Sequence, residues 1–144
     1  MRLEKLLSDY SRLSGDKLQE QILEDGKKAY GLLVKAFLEK GLQEKDAAEL
    51  AVMILRLVCD LDNHASEAEY NLFRAATGIE LDKNEFFALM KNGFDQKSLD
   101  LLNEVVDSLD PTSKEAALRL AAIFLAQDQK LSEKELKAFK LLED

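Results

Sequence analysis

The sequence predicts an all-helical protein, and three observations lead to this prediction. Ala, Leu, Glu and Lys dominate the composition, and all four residue types favour helices. Apolar residues recur at helical spacing, whereas the polar and apolar alternation typical of strands is never sustained. The chain has one proline and six glycines, so long stretches lack the residues that end helices. We therefore expect one domain, residues 1–144, built as a bundle of about seven helices.

The first elements follow from apolar spacing and from glycine positions. Residues 1–13 have leucines at helical spacing and predict a short leading helix, which residues 14–16 interrupt. A long amphipathic helix is expected over 17–40, and Gly41 is expected to end it. Gly26 lies inside this helix and predicts a bend or a division into two helices.

Two later segments are apolar on most sides, which is typical of helices buried in the centre of a bundle. One covers residues 44–61, and the other begins at Pro111, a residue favoured at a first helical position. Amphipathic helices are expected between them, and their approximate ranges are 67–76, 82–91 and 95–109. A last amphipathic helix carries Leu136, Phe139, Leu141 and Leu142.

Charge and cysteine content exclude several classes of protein. The net charge is −8 and the bases are scattered singly, with Lys27 and Lys28 as the only adjacent pair, which argues against a nucleic-acid partner. The longest apolar stretch, near 116–126, contains Arg119 and is too short for a transmembrane segment. The first residues carry acids and have no apolar run typical of a signal peptide. Cys59 is the only cysteine, so neither an intramolecular disulfide nor a zinc site with several thiolates is expected. These features favour a cytoplasmic protein.

A short acidic turn occurs twice in the chain. The copies are D-N-H-A-S-E-A-E, from Asp62 to Glu69, and D-Q-K-L-S-E-K-E, from Asp128 to Glu135. Each copy follows one of the apolar helices and opens into an amphipathic one. The two aspartates are 128 − 62 = 66 residues apart, which favours an internal duplication with two pseudo-symmetric halves over a solenoid repeat.

Helix capping explains most of this turn. Ser66 to Glu69 and Ser132 to Glu135 each match the capping box S-x-x-E, in which the serine and the glutamate bond to each other's backbone amides. Capping does not explain Asp62 and Asp128, because an anion at the C-terminal end of a helix is disfavoured by the helix dipole. In each copy, the aspartate leaving one helix and the glutamate entering the next could converge on one hard cation.

The spacing does not fit an EF-hand, because a loop beginning at Asp62 would have Glu67 at its sixth position and Phe73 at its twelfth. The repeated turn with a buried helix upstream resembles the TerB family, the tellurite-resistance TerB-like domains. The resemblance implies an all-helical fold of about seven helices. It also implies a divalent-cation site at four carboxylates and a link to metal, tellurite or oxidative stress. Those carboxylates are Asp62, Glu69, Asp128 and Glu135. The family pattern has glycine after each aspartate, where this chain has Asn63 and Gln129.

Two functions are therefore expected from the sequence, and neither is enzymatic. The first is a TerB-like module that binds a divalent cation (Ca²⁺, Mg²⁺ or Mn²⁺) and acts through other proteins. The alternative is an interaction or scaffold domain, either for other proteins or as a homo-oligomer, whose acidic turns only cap helices. With His64 and Cys59 as the only histidine and cysteine, no catalytic triad is visible. A small carboxylate-based hydrolase is a third reading, which would require acids of raised pKa in a cleft.

Overall fold

The computed structural model describes residues 8–62, 66–91 and 96–128, with side chains described except at 59–62, 90 and 128. Seven helices and no strand lie in these ranges, so the all-helical prediction is confirmed there. Residues 8–11 belong to α1, and the remaining helices are α2 (Gly15–Glu39), α3 (Glu44–Asp62), α4 (Glu67–Thr77), α5 (Lys83–Lys91), α6 (Gln96–Asp107) and α7 (Pro111–Asp128). The predicted second acidic turn and last helix lie outside the described residues.

α2 is a single helix of 25 residues, so the predicted division at Gly26 is wrong. Gly26 is buried where α2 packs against α4 and α7. A Cβ atom added at Gly26 would lie 2.5 Å from Ile123 Cδ1 and 3.0 Å from Ala76 Cβ. The missing side chain therefore lets α2 approach its two neighbours closely, and it leaves the helix unbroken.

The C-terminus of α2 is a Schellman motif, in agreement with the stop predicted at Gly41. Gly41 has a φ of +82°, which glycine adopts without a Cβ penalty. Its N–H donates to the Leu38 carbonyl at 3.1 Å, and the Leu42 N–H donates to the Phe37 carbonyl at 2.9 Å. This turn sends the chain into α3 and leaves Leu38 and Leu42 on the surface.

The two helices predicted to be central contribute much of the core. In α7, every residue from 116 to 126 except Arg119 is buried. α7 makes its most extensive contact with α2 and also packs against α3, α4 and α6. α3 buries seven residues between Ala47 and Val58, while Val52 and Met53 are only half-buried. α7 is therefore buried over most of its surface between residues 116 and 126, and α3 keeps one side near the surface.

α4 is joined to α5 by a connection that aromatic packing holds in place. Gly78 caps α4 with a φ of +71°, as the sequence signal at residues 77–78 predicts. The Tyr70 hydroxyl donates to the Leu81 carbonyl at 2.6 Å, and the Tyr70 ring contacts Phe86 edge-on at 5.1 Å between centroids. These contacts fix the entry to α5 against α4.

Asp110 caps α7 at its N-terminus. Asp110 Oδ1 accepts a hydrogen bond of 2.7 Å from the Ser113 N–H, and this bond holds the pKa of Asp110 below its ordinary value.

α6 ends at Asp107, two residues before the predicted end at 109, because Ser108 and Leu109 turn back with hydrogen bonds to Val105 and Val106. In the described ranges, none of the helices combines the length and the apolar character that crossing a membrane requires.

Candidate functional site

The first acidic turn connects α3 to α4. α3 ends at Asp62, and Ser66 is the N-cap of α4 with an extended backbone, φ −104° and ψ 159°. Residues 63–65, which include His64, lie outside the described residues. The predicted positions of Asp62 and Ser66 at the facing ends of two helices are thus confirmed.

Glu69 has no exposed surface and takes part in a complete capping box with Ser66. Its Oε1 atom accepts hydrogen bonds from the Ser66 N–H and the Ser66 hydroxyl, both at 3.0 Å. In return, the Glu69 N–H donates to Ser66 Oγ at 3.1 Å. The capping interpretation of this turn is therefore confirmed, and Oε1 of a predicted metal ligand is engaged in holding the helix start.

Glu67, the other acid of this first turn, lies on the surface. Its Oε1 atom is 2.6 Å from Nζ of Lys83, and the two side chains are 66% and 48% exposed. An exposed ion pair of this kind contributes about 0–1 kcal/mol. It links the N-terminal ends of α4 and α5.

The other predicted metal ligands remain predictions. Asp62 and Asp128 are the last residues of α3 and α7, but their side chains lie outside the described part of the chain, as does all of Glu135. Among the side chains that are described, no three from His, Cys, Asp and Glu are grouped so that they could hold a metal ion. Among the described residues, Ser66 and Glu69 therefore lie together. The predicted metal site at four carboxylates stays a prediction.

An open groove of about 600 Å³ runs along the second half of α2 beside the start of α3. Its apolar lining includes Tyr30, Val34 and Leu38, which are spaced four residues apart along one side of the helix. Leu38 is 54% exposed, and the nearby Leu42 is 46% exposed. Such a surface is typical of sites that receive a helix from a partner.

Charged residues of both signs border this groove, namely Lys35, Glu39 and Glu44. Burial raises the pKa of Tyr30, and the negative charge of Glu44 raises it further. Tyr30 therefore stays neutral at physiological pH and presents an apolar ring to the groove. The groove is not predictable from the sequence, because the residues that line it also fit the pattern of an ordinary amphipathic helix.

A polar cluster joins α1, α2 and α7. The Tyr10 hydroxyl donates to Asp25 Oδ2 at 2.7 Å, and Gln21 Nε2 donates to Asp25 Oδ1 at 3.0 Å. Arg119 Nη1 lies 3.4 Å from the Tyr10 oxygen and 3.8 Å from Asp25 Oδ2. The cluster therefore provides Arg119 of α7 with partners from two other helices.

Burial raises the pKa of Tyr10 far above its ordinary value, and the hydrogen bond to Asp25 raises it further. Burial alone would lower the pKa of Arg119, but the bond to Tyr10 and the charge of Asp25 outweigh it, so the pKa is raised. Both groups keep their protons at physiological pH. A signal for this cluster was present in the sequence, because a charge within an otherwise apolar helix requires a partner.

The chain matches no protein-family model, and neither the curated proteins nor the solved structures include a detectably similar protein. The resemblance to the TerB family thus stays a prediction from the sequence.

Proposed function

We propose that this protein is a non-enzymatic, cytoplasmic interaction module that binds an amphipathic helix of a partner protein in the groove between α2 and α3. The observation that carries the proposal is Leu38, a leucine in the lining of this groove that is 54% exposed to solvent. In this proposal the first acidic turn is structural, since Ser66 and Glu69 cap α4.

The shape of the groove supports a helical partner. Tyr30, Val34 and Leu38 form an apolar line along about two turns of α2, and this line is open to solvent on one side. A partner helix with apolar residues at i, i+3, i+4 and i+7 presents a matching ridge. Covering Leu38 would remove apolar surface from water, which is the main favourable term in association.

The charges around the groove indicate what flanks the apolar face of that partner. Lys35, Glu39 and Glu44 all line the groove, so both signs of charge are present in it. A partner helix with both acidic and basic residues beside its apolar face would pair with both, whereas a uniformly charged helix would meet repulsion. We therefore propose an amphipathic partner of mixed charge.

Site-specific cross-linking tests this proposal. A photo-reactive benzoylphenylalanine is placed at Leu38 in the groove or, as a control, at Leu101, which is 52% exposed on α6. We expect a discrete cross-linked protein from position 38, and a helical peptide from that protein should bind the purified chain. Equal cross-linking from both positions, or no binding of the purified peptide, would contradict the proposal.

A second candidate function is the TerB-like cation module with two related halves. Its support is that both α3 and α7 end at the repeated aspartates, Asp62 and Asp128, where the helix dipole disfavours a carboxylate. A divalent cation between each aspartate and the next helix would remove this penalty. The predicted link to tellurite, metal or oxidative stress belongs to this candidate.

Thermal unfolding of chelator-treated protein separates the two candidates. For the cation module, Ca²⁺, Mg²⁺ or Mn²⁺ should raise the unfolding temperature, and the variant Asp62→Asn with Asp128→Asn should lose this effect. For the interaction module, added cations should leave the unfolding temperature unchanged. The same variant should then be as stable as the wild type or more stable, because two unfavourable helix-end charges are removed.

A further inference from the structure

A cavity of about 280 Å³, open to solvent on one side, lies between the middle of α2 and the first turns of α7. Four charged side chains line it: Asp25 and Lys28 from α2, and Glu115 and Arg119 from α7. The hydroxyl-bearing side chain of Thr112 is also part of the lining. The remaining walls are apolar, with alanines and the half-exposed Leu32. The cavity is separate from the groove and from the acidic turn.

Arg119 has hydrogen-bonding capacity left for a ligand. A guanidinium carries five N–H donors. In the described part of the chain only Nη1 is engaged, at 3.4 Å from Tyr10 and 3.8 Å from Asp25. Tyr10 and Asp25 hold the guanidinium beside the cavity, so it is positioned before any ligand arrives. Its remaining donors match the geometry of a carboxylate.

The charges of the cavity cancel. Asp25 and Glu115 contribute two negative charges, and Lys28 and Arg119 contribute two positive ones. Asp25 is already bonded to Tyr10 and Gln21, which leaves Glu115 as the acid available to a cationic group. A purely anionic or purely cationic ligand would meet repulsion from half of the lining.

We propose that this cavity binds a small zwitterion of the amino-acid class. The ligand carboxylate pairs with Arg119 and with Lys28, which exchanges its exposed ion pair with Glu24, 3.2 Å between Nζ and Oε1, for the ligand. The ammonium group of the ligand pairs with Glu115. The volume corresponds to roughly nine water molecules, which suits a small amino acid. This inference does not depend on the proposed helix-binding groove.

Titration calorimetry on the full chain tests the proposal with glycine, L-alanine, L-serine and L-glutamine. We expect at least one of them to bind with a dissociation constant in the micromolar to millimolar range. N-acetyl-L-alanine and L-alaninamide, which each lack one of the two charges, should bind at least about tenfold more weakly than L-alanine. No heat with any amino acid, or equal binding of the singly charged analogues, overturns the proposal.

Matched variants locate the binding. Lys28→Gln and Glu115→Gln change exposed residues of the lining and should each weaken binding at least about tenfold. The controls are Lys27→Gln and Glu104→Gln, which change exposed residues outside the lining and should leave the affinity unchanged. Circular dichroism verifies that all four variants fold. If the controls lose as much affinity as the lining variants, or if the lining variants keep it, the cavity is not the site.

Discussion

Glu69 is a carboxylate with no exposed surface, and its hydrogen bonds show how the fold accommodates it. Buried acids normally need partners, because taking a charge out of water is costly. Ser66 supplies two donors to Oε1 and accepts the Glu69 N–H in return. The pattern S-x-x-E was sufficient to predict this arrangement, since the capping box is local in sequence.

Replacing Ser66 with alanine should destabilise the protein by about 1–2 kcal/mol, because the Glu69 N–H loses its acceptor and Oε1 loses a donor. The measurement is the free energy of unfolding in urea. Ser108→Ala is the control, since the Ser108 hydroxyl is exposed, and it should change the free energy by less than about 0.5 kcal/mol. Equal effects of the two substitutions would contradict the capping account.

Tyr10 offers a second test at the scale of one residue. Tyr10→Phe removes the hydroxyl that donates to Asp25 at 2.7 Å, and should cost about 1–2 kcal/mol of unfolding free energy. Tyr30→Phe is the matched control, because the Tyr30 hydroxyl has no hydrogen bond within the described residues, and it should cost less than about 0.5 kcal/mol. A Tyr10→Phe protein as stable as the wild type would show that the cluster contributes nothing.

The difference in unfolding free energy between the wild type and Tyr10→Phe should also depend on pH. The pKa of Tyr10 is raised in the folded state above its ordinary value of 10.0, so both states are protonated below that pH and the contribution is complete. Above it, the unfolded chain releases the proton while the folded chain keeps it. The stability advantage of wild type over Tyr10→Phe should therefore shrink by up to about 1.4 kcal/mol per pH unit. A difference that stays constant between about pH 9 and about pH 11 would contradict this sign.

At the scale of helices, Gly26 is the position where packing overrides local preference. Its lack of a Cβ lowers helix propensity by about 1 kcal/mol relative to alanine, which is why the sequence predicted a bend or a division there. The contacts across to Ile123 and Ala76 belong to helices far away in the chain, and sequence spacing alone does not contain them. Helix ends that depend on local signals, such as those at Gly41, Ser66 and Gly78, agree with the prediction from the sequence, because capping involves only residues close in the chain.

Gly26→Ala should destabilise the protein by about 1 kcal/mol net, since overpacking against Ile123 exceeds the gain in helix propensity. Gly31→Ala in the same helix is the control, because an added Cβ there meets nothing within 4 Å, and it should stabilise by roughly 0.5–1 kcal/mol. Denaturant titration measures both.

Ile123→Val tests the cause of this difference, because valine lacks the Cδ1 atom that would lie 2.5 Å from the new methyl group. In an Ile123→Val background, Gly26→Ala should cost clearly less than it does in the wild type. If Gly26→Ala destabilises the protein equally in both backgrounds, the contact with Ile123 Cδ1 is not the source of the strain.

For the whole molecule, the helical class and the buried α7 followed from composition and apolar spacing. The arrangement of the polar side chains did not, because Tyr10, Asp25 and Arg119 are distant in sequence and meet only when α1, α2 and α7 pack together. A charged residue at position 119, within an apolar helix, favours a polar partner, but spacing along the chain cannot select Asp25 among the acids. The groove beside Leu38 likewise depends on how α3 leaves the end of α2.

The molecule combines a capped acidic turn with an apolar groove that is open to solvent. The groove, rather than the turn, is the proposed place of contact with a partner protein. Leu38 and Leu101 are almost equally exposed, at 54% and 52%, yet only Leu38 lines the groove. If exposure alone decided partner binding, the two leucines would contribute equally. If the partner helix lies in the groove, only Leu38 should contribute to binding.

The affinity of the cross-linked partner helix for two serine variants is the most direct test. Leu38→Ser should weaken binding at least about tenfold, because it removes an apolar anchor from the interface. Leu101→Ser should leave the dissociation constant within about twofold of the wild-type value. If both variants bind as tightly as the wild type, or if Leu101→Ser weakens binding as much as Leu38→Ser, the groove is not the interaction site.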